Sequence, residues 1–238
     1  RVRPSRRPAN RGLRLVYALA NDGLLHTLLV SNGDAYGQAL KFLPPNANAQ
    51  GLIVVDDVAY VATTNGCAAV ADGVWALDLE SSNVVSWESP GGGVVGLAGP
   101  AIGTDGTVYA ATGSGTAVPS STSFFVVALE AKTLKEKGRY ELHSGGFTSS
   151  PVVVDYNSND YLAVSAKDGA IHLFDGSNLG KMLDKTPGYP AASDFVPGAL
   201  ASWRDGEGAV WVLAPIGGPF LDVTFPFTNG EVRHGAIV

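Results

Sequence analysis

Short runs of alternating apolar and polar residues recur along the chain, each broken by a tight polar turn, and the pattern returns five times. The segments read "VYALANDGLLHTLLVSNG" from Val16, "VAYVATTNG…GVWALDLESSNVVSW" from Val58 and "TVYAATGSG…FFVVALEAKTLKEKGRY" from Thr107. The fourth is "DYLAVSAKDGAIHLFDGSNLGK" from Asp160 and the fifth is "AVWVLAPIGG…GEVRHGAIV" from Ala209. Each holds a strand pattern, a turn such as Asn21-Asp22-Gly23, Asn65-Gly66 or Lys167-Asp168-Gly169, and a second strand pattern. Asn-Gly and Asp-Gly supply the positive φ angles of tight hairpin turns. Aligned on Tyr17, Tyr60, Tyr109, Leu162 and Trp211, the units are spaced by 43, 49, 53 and 49 residues.

Before each later unit lies another strand-like run that opens with small residues: 51–57, 99–106, 150–160 and 198–208. One repeat is thus an inner, a middle and an outer strand, followed by a weakly marked fourth. Four antiparallel strands in about 40–50 residues predict the blades of a β-propeller. A β-helix fits less well, because its coils repeat at shorter periods without paired hairpins. Four units are complete, the fifth stops in "GEVRHGAIV" (230–238), and no inner strand precedes Val16. The expected fold is therefore all-β, with about four blades and a partial fifth over residues 15–238, forming part of a larger ring. A five-bladed ring closed through its N-terminus is the alternative. An open arc leaves unpaired strand edges that favour association with another chain.

Composition narrows the class. Hydrophobic residues make up 45% and charged residues 16%, a globular balance, and 30 Gly with 14 Pro fit many turns. The net charge of −6 argues against a nucleic-acid binder, which needs dense Lys and Arg. A single Cys, Cys67, excludes an internal disulfide and any CxxC motif. No apolar run approaches the ~18 residues of a membrane span. Residues 1–14 carry six Arg and no apolar core, so they read as a basic, disordered tail and not as a signal peptide.

The repeats carry a more specific resemblance. "GVWALDLESSNVVSW" (73–87) resembles the blade motif of the pyrroloquinoline-quinone (PQQ)-like propellers, with Ala76, Asp78 and Trp87 at the motif positions. "VVALEAKTLKEKGRY" (126–140) is a weaker copy with Ala128 and Glu130, and Tyr140 stands where the Trp is expected. "IHLFDGSNLGKML" (171–183) keeps Asp175 and has no Trp. In that family the Trp docks on a neighbouring blade. The family spans quinoprotein dehydrogenases and BamB-type outer-membrane assembly lipoproteins, so the fold does not choose the function. The resemblance implies, first, a non-catalytic binding or scaffold domain of the bacterial cell envelope or secreted space. Its partner would be a protein, a glycan or a small molecule. The alternative is a fragment of a PQQ-dependent sugar or alcohol oxidoreductase, and the third reading is a propeller that binds or acts on polysaccharide. Family quinoproteins hold PQQ over Ca²⁺ bound by Glu, Asn and Asp, with a Trp under the ring and a disulfide between adjacent Cys. One Cys cannot form that disulfide.

Candidate sites follow from the repeat. The segments "FLPPNANAQG" (42–51), "GGFTSSPVV" (145–153) and "DFVPGALASW" (194–203) lead into inner strands, which converge on the axis. They predict that Asn46, Asn48, Gln50, Thr148, Ser149, Ser150 and Asp194 ring one end of the channel and bind ligand. Asp155, Asn157 and Asn159 offer oxygen atoms at alternating positions, as a Ca²⁺ loop does, and also sit where a hairpin turn belongs. His26, His143, His172 and His234 show no metal-ligand spacing. Cys67 has no evident His partner. The insertions at 67–73 and 119–125 fall in equivalent turns, so they emerge on one face of the disc. Lys167, Asp168, His172 and Asp175 read as a hairpin turn and a blade motif, not as a catalytic cluster.

Overall fold

The computed structural model describes residues 13–113, 123–186 and 199–214. The first blade comprises β1 (Leu15–Leu19), β2 (Leu24–Leu29) and β3 (Leu40–Lys41). The second has four strands: β4 (Ala49–Val55), β5 (Val58–Thr63), β6 (Gly73–Asp78) and β7 (Val84–Glu88). In the third, β8 (Gly93–Val94) and β9 (Ala101–Ile102) both pair with β10 (Val108–Gly113), followed by β11 (Phe124–Leu129) and β12 (Glu136–Leu142). The fourth blade is β13 (Val152–Tyr156), β14 (Asn159–Ser165), β15 (Ile171–Asp175) and β16 (Met182–Lys185). The hairpin of β17 (Ala201–Arg204) and β18 (Val210–Leu213) begins the fifth. Every pairing is antiparallel and each sheet runs in chain order, which makes this a partial β-propeller. Most of the tail 1–14 and the "GEVRHGAIV" run lie outside the described residues.

Two details of the repeat differ from the reading of the sequence. The strand taken as outer is the third of four, and the weakly marked fourth is an edge strand of two to seven residues in the first four blades. Its pattern is faint because one face packs and the other meets water: β12 alternates half-buried and exposed along all seven residues. The alignment on Leu162 is also one residue out. Val58 pairs with Asp78 and Tyr161 pairs with Asp175, so the counterpart of Tyr60 is Ala163. A one-residue slip changes the face. Leu162 points to the third blade, whereas Ala163 packs toward the fifth.

The core lies between blades. One apolar cluster joins each adjacent pair, and the second strands of the second, third and fourth blades each serve two clusters with alternate residues. Ala59 and Val61 face the first blade, and Val58, Tyr60 and Ala62 face the third. All six residues of β5 and all six of β10 are buried. Burying each large side chain contributes about 2–3 kcal/mol. Trp87 packs on the cluster between the second and third blades. Tyr140 takes the equivalent place one blade on, its ring 4.9 Å from that of Phe174.

Tyrosine latches reinforce these interfaces. The Tyr60 hydroxyl accepts the Lys132 N–H at 3.1 Å, and the Tyr109 hydroxyl donates to the Gly176 carbonyl at 3.1 Å. Both targets lie in the turn between third and fourth strands of the next blade. Burial raises both phenols, Tyr109 to about 12. The motif carboxylates shape the same turns. Asp78 accepts the N–H groups of Ser81 and Glu80, which hold its carboxyl below the usual range, helped by Lys132. Asp175 accepts the N–H and hydroxyl of Ser177, whereas the longer Glu130 reaches the Thr133 hydroxyl.

Candidate functional site

The channel-mouth residues meet different fates. Asn46 is exposed, with φ 63°, and its N–H donates to the Asn21 carbonyl at 2.7 Å. The Asn48 carbonyl accepts from Thr64, and Gln50 pairs with Ala62 just before a bulge centred on Gly51. Asn48 and Gln50 are half-buried and line a cleft of about 410 Å³ between the first two blades, with Asn21, Tyr17 and Leu52. Of the described residues that line it, none carries a charge at neutral pH.

Thr148, Ser149 and Ser150 are buried instead, at 6%, 0% and 2% exposure. The hydroxyls of Thr148 and Ser165 share a hydrogen bond of 2.9 Å, and Ser149 Oγ accepts the Ser165 N–H at 3.0 Å. Ser150 Oγ donates to the Val95 carbonyl at 3.5 Å. These groups stitch the inner edge of the fourth blade together. Asp194 lies outside the described residues.

An excursion at residues 95–100 splits the inner strand of the third blade and joins its two neighbours. Gly96 has φ 87°, and a Cβ there would stand 1.9 Å from the Ser150 nitrogen. A Cβ on Gly51 would stand 2.0 Å from the Ala98 carbonyl oxygen. Only glycine permits backbones this close.

A second cleft, of about 510 Å³, lies between the third and fourth blades, among the turns of the opposite face. It is lined by Asp105, Tyr109, Lys137, Asp160 and Asn178, and its charges are largely paired within the protein. Lys137 Nζ lies 3.2 Å from Asp105 Oδ2 and 2.6 Å from Thr107 Oγ1. Burial pushes the Asp105 carboxyl up, but the Thr107 and Lys137 donors outweigh it and leave the group below its usual range. Asp160 Oδ2 accepts the Thr104 N–H at 2.7 Å, while Oδ1 is buried without a partner. Sequence reasoning missed this cleft, because its residues come from turns and strands far apart in the chain, with no shared motif.

Asp155, Asn157 and Asn159 fall around a two-residue hairpin turn. Asn157 and Ser158 have φ of 50° and 63°, and Tyr156 pairs with Asn159. That geometry gives the Asn a local role. Among the described residues no group of three or more His, Cys, Asp or Glu is placed to hold a metal ion.

The polar stretch at 167–175 does converge in part. His172 is buried, and its Nε2 lies 3.0 and 3.2 Å from the two Asp168 oxygens. Lys185 Nζ stands 3.5 Å from the same carboxylate. Burial raises the Asp168 carboxyl, but the Ala170 N–H, His172 and Lys185 together hold it below its usual range. His172 packs against Phe147 and Phe174 and lines neither cleft.

The described residues do not fit PQQ over Ca²⁺. Cys67 is an exposed free thiol at a short 3-10 turn. Trp75 donates to Thr63 Oγ1, Trp87 packs between blades, and neither lines a cleft. Trp203 and Trp211 stack on each other outside both clefts. Among the described residues no helix is long and apolar enough to cross a membrane.

Fold and clefts together define a partial β-propeller with a neutral inter-blade groove. No protein-family model matches the chain, and no curated protein matches its sequence. Solved structures do. A europium-containing methanol dehydrogenase aligns at 15% identity and a TM-score of 0.56, over 74% of this chain and 41% of that one. The Dos1 propeller aligns at 9% identity and 0.55, over 86% and 52%. Hydrazine synthase of Kuenenia stuttgartiensis aligns at 14% identity and 0.53, over 86% and 59%. These likenesses show the fold, and the chain spans about half the length of each.

Proposed function

We propose that the chain is a PQQ-like repeat propeller that binds rather than catalyses, serving as a recognition or scaffold domain of the bacterial cell envelope or secreted space. The observation that carries this reading is the cleft between the first two blades. Its polar groups are the amides of Asn21, Asn48 and Gln50 and the Tyr17 phenol, set beside apolar surface. Neutral donors and acceptors next to apolar walls suit a neutral ligand rich in hydroxyl or amide groups, such as an oligosaccharide. They offer no general acid or base of ordinary pKa near neutrality. The blade motif of Asp78, Trp87 and Asp175 supports membership of the repeat family.

Calorimetric titration with soluble neutral oligosaccharides tests the reading. Binding is expected, and Asn48→Ala should weaken it about fivefold to tenfold, the cost of one hydrogen bond. Binding unaffected by Asn48→Ala and Gln50→Ala would remove this cleft from consideration. A parallel titration with PQQ and Ca²⁺, followed by a dye-linked assay on sugars and alcohols, addresses the oxidoreductase alternative. Turnover there would overturn the binding reading.

A further inference from the structure

The second and third blades carry matching rows of cross-strand partners. Tyr60, Ala76 and Val85 form the row of the second blade, and Tyr109, Ala128 and Gly138 form that of the third. Val85 packs into the joint between the second and third blades. Gly138 holds the same place one blade on, where it lines the cleft of about 510 Å³ beside Ala128. A Cβ built on it would meet nothing within 4 Å. Its φ lies outside the left-handed region, so neither backbone nor packing asks for glycine there. A glycine inside a strand weakens the sheet and marks a place where a ligand or another backbone comes close. What Gly138 provides is the open volume itself.

The opposite wall holds a charge that the protein leaves unmatched. Asp160 lines the cleft and stands three residues before Ala163, where the third blade has Gly106 three before Tyr109. Its Oδ2 accepts the Thr104 N–H, while Oδ1 is buried and meets no donor. Asp155 lies directly opposite Asp160 on the same face of the β13–β14 hairpin, a like-charge pair that costs stability. Among the described residues no ion pair reaches either carboxylate. Lys137 is already paired with Asp105 and Thr107, and Arg139 with Glu136 and the Phe125 ring. A buried carboxylate oxygen without a donor is costly, and a charged donor offsets that cost most fully.

We infer that this cleft is a second binding site, for a small alkylamine whose ammonium group meets Asp160 and whose carbon chain fills the space at Gly138. A primary ammonium brings three donors on one compact charge. The width of the cleft suits an organic cation better than a bare metal ion, which needs a close shell of oxygen ligands. The site lies between different blades from the neutral groove, and the inference does not rest on that groove.

An amide-shift NMR titration of the 238-residue chain with 1,4-diaminobutane tests it, with 1,4-butanediol as the uncharged analogue of equal length. The diamine should bind saturably, with shifts centred on β12 and the start of β14, and the diol should not bind. Added salt should weaken the diamine. Asp160→Asn keeps an acceptor for the Thr104 N–H and removes the charge, so affinity should fall about tenfold or more. Gly138→Val restores the side chain that the second blade has in Val85. It should abolish binding while the melting temperature stays level or rises. Absence of saturable binding at millimolar diamine overturns the inference, as does equal binding of the diol. So do shifts centred elsewhere on the chain, undiminished binding by Asp160→Asn, or a folded Gly138→Val protein that still binds.

Discussion

The segments Asn46–Gln50 and Thr148–Ser150 both lead into inner strands, yet one opens onto a cleft and the other is packed away. Both are rich in small polar side chains, so residue type does not separate them. Their neighbours do. Ser149 finds the Ser165 N–H beside it, and Gly96 of the third blade lies against Ser150. Around Asn48 and Gln50 the strand bulges at Gly51, and the 95–100 excursion meets that glycine's backbone, leaving the amides to the groove. A polar residue near the axis becomes a ligand group only where the adjoining strand leaves its hydrogen bonds unspent.

The sharpest way to break this contrast is Gly96→Val. The added side chain meets the Ser150 backbone at a φ that suits glycine, and a loss of about 3 kcal/mol or more in a urea melt is expected. An unchanged midpoint would show that the excursion does not seal the Thr-Ser entry.

The interface behind that entry has an alkaline limit. The Tyr109 phenol is raised from 10 to about 12, so its folded pKa lies above its unfolded one. Its stabilising contribution is fully present below pH 10 and is lost as pH rises toward 12, for about 2–3 kcal/mol. Denaturation of wild type and Tyr109→Phe across pH 9 to 12 measures it. Tyr109→Phe should flatten that part of the profile, and two parallel profiles would refute the assignment.

Ser149→Ala leaves the buried Ser165 N–H without its acceptor and should cost about 2 kcal/mol. Asn48→Ala should change stability by less than about 0.5 kcal/mol while weakening ligand binding. Equal stability losses for the two would erase the distinction between a stitched entry and an open one.

The blades were legible in the sequence because hairpin turns are local. Asn21-Asp22-Gly23 and Lys167-Asp168-Gly169 declare their geometry within three residues. The motif carboxylates Asp78 and Asp175 cap the turns that follow them. Tyr140 fills the place of the missing Trp because an aromatic ring suffices to pack on Phe174. The misalignment at Leu162 came from aligning on the large residue of the strand: the position that holds Tyr60 and Tyr109 holds the small Ala163 in the fourth blade. The slip is invisible in an apolar pattern that reads well in either register. Among the polar residues that lead into inner strands, nothing in the sequence separated the open ones from the packed ones. Whether a hydroxyl there is free depends on residues dozens of positions away. The charged cleft of Asp105, Lys137 and Asp160 could not be seen at all, since its members meet only through the twist of two sheets.

Because each apolar cluster draws on two adjacent blades, the arc behaves as a row of coupled units whose cohesion resides in the joints. Among the described residues the joint to the fifth blade has the fewest buried members: Ala163, Ile171 and Leu200. The Arg204 guanidinium supplements it with a bond to the Asp155 carbonyl. Under thermal agitation the row should fray from that end, so amide exchange should slow step by step from β18 inward to β10. The order of opening is thus written in the joints and not in the blades, which are nearly alike.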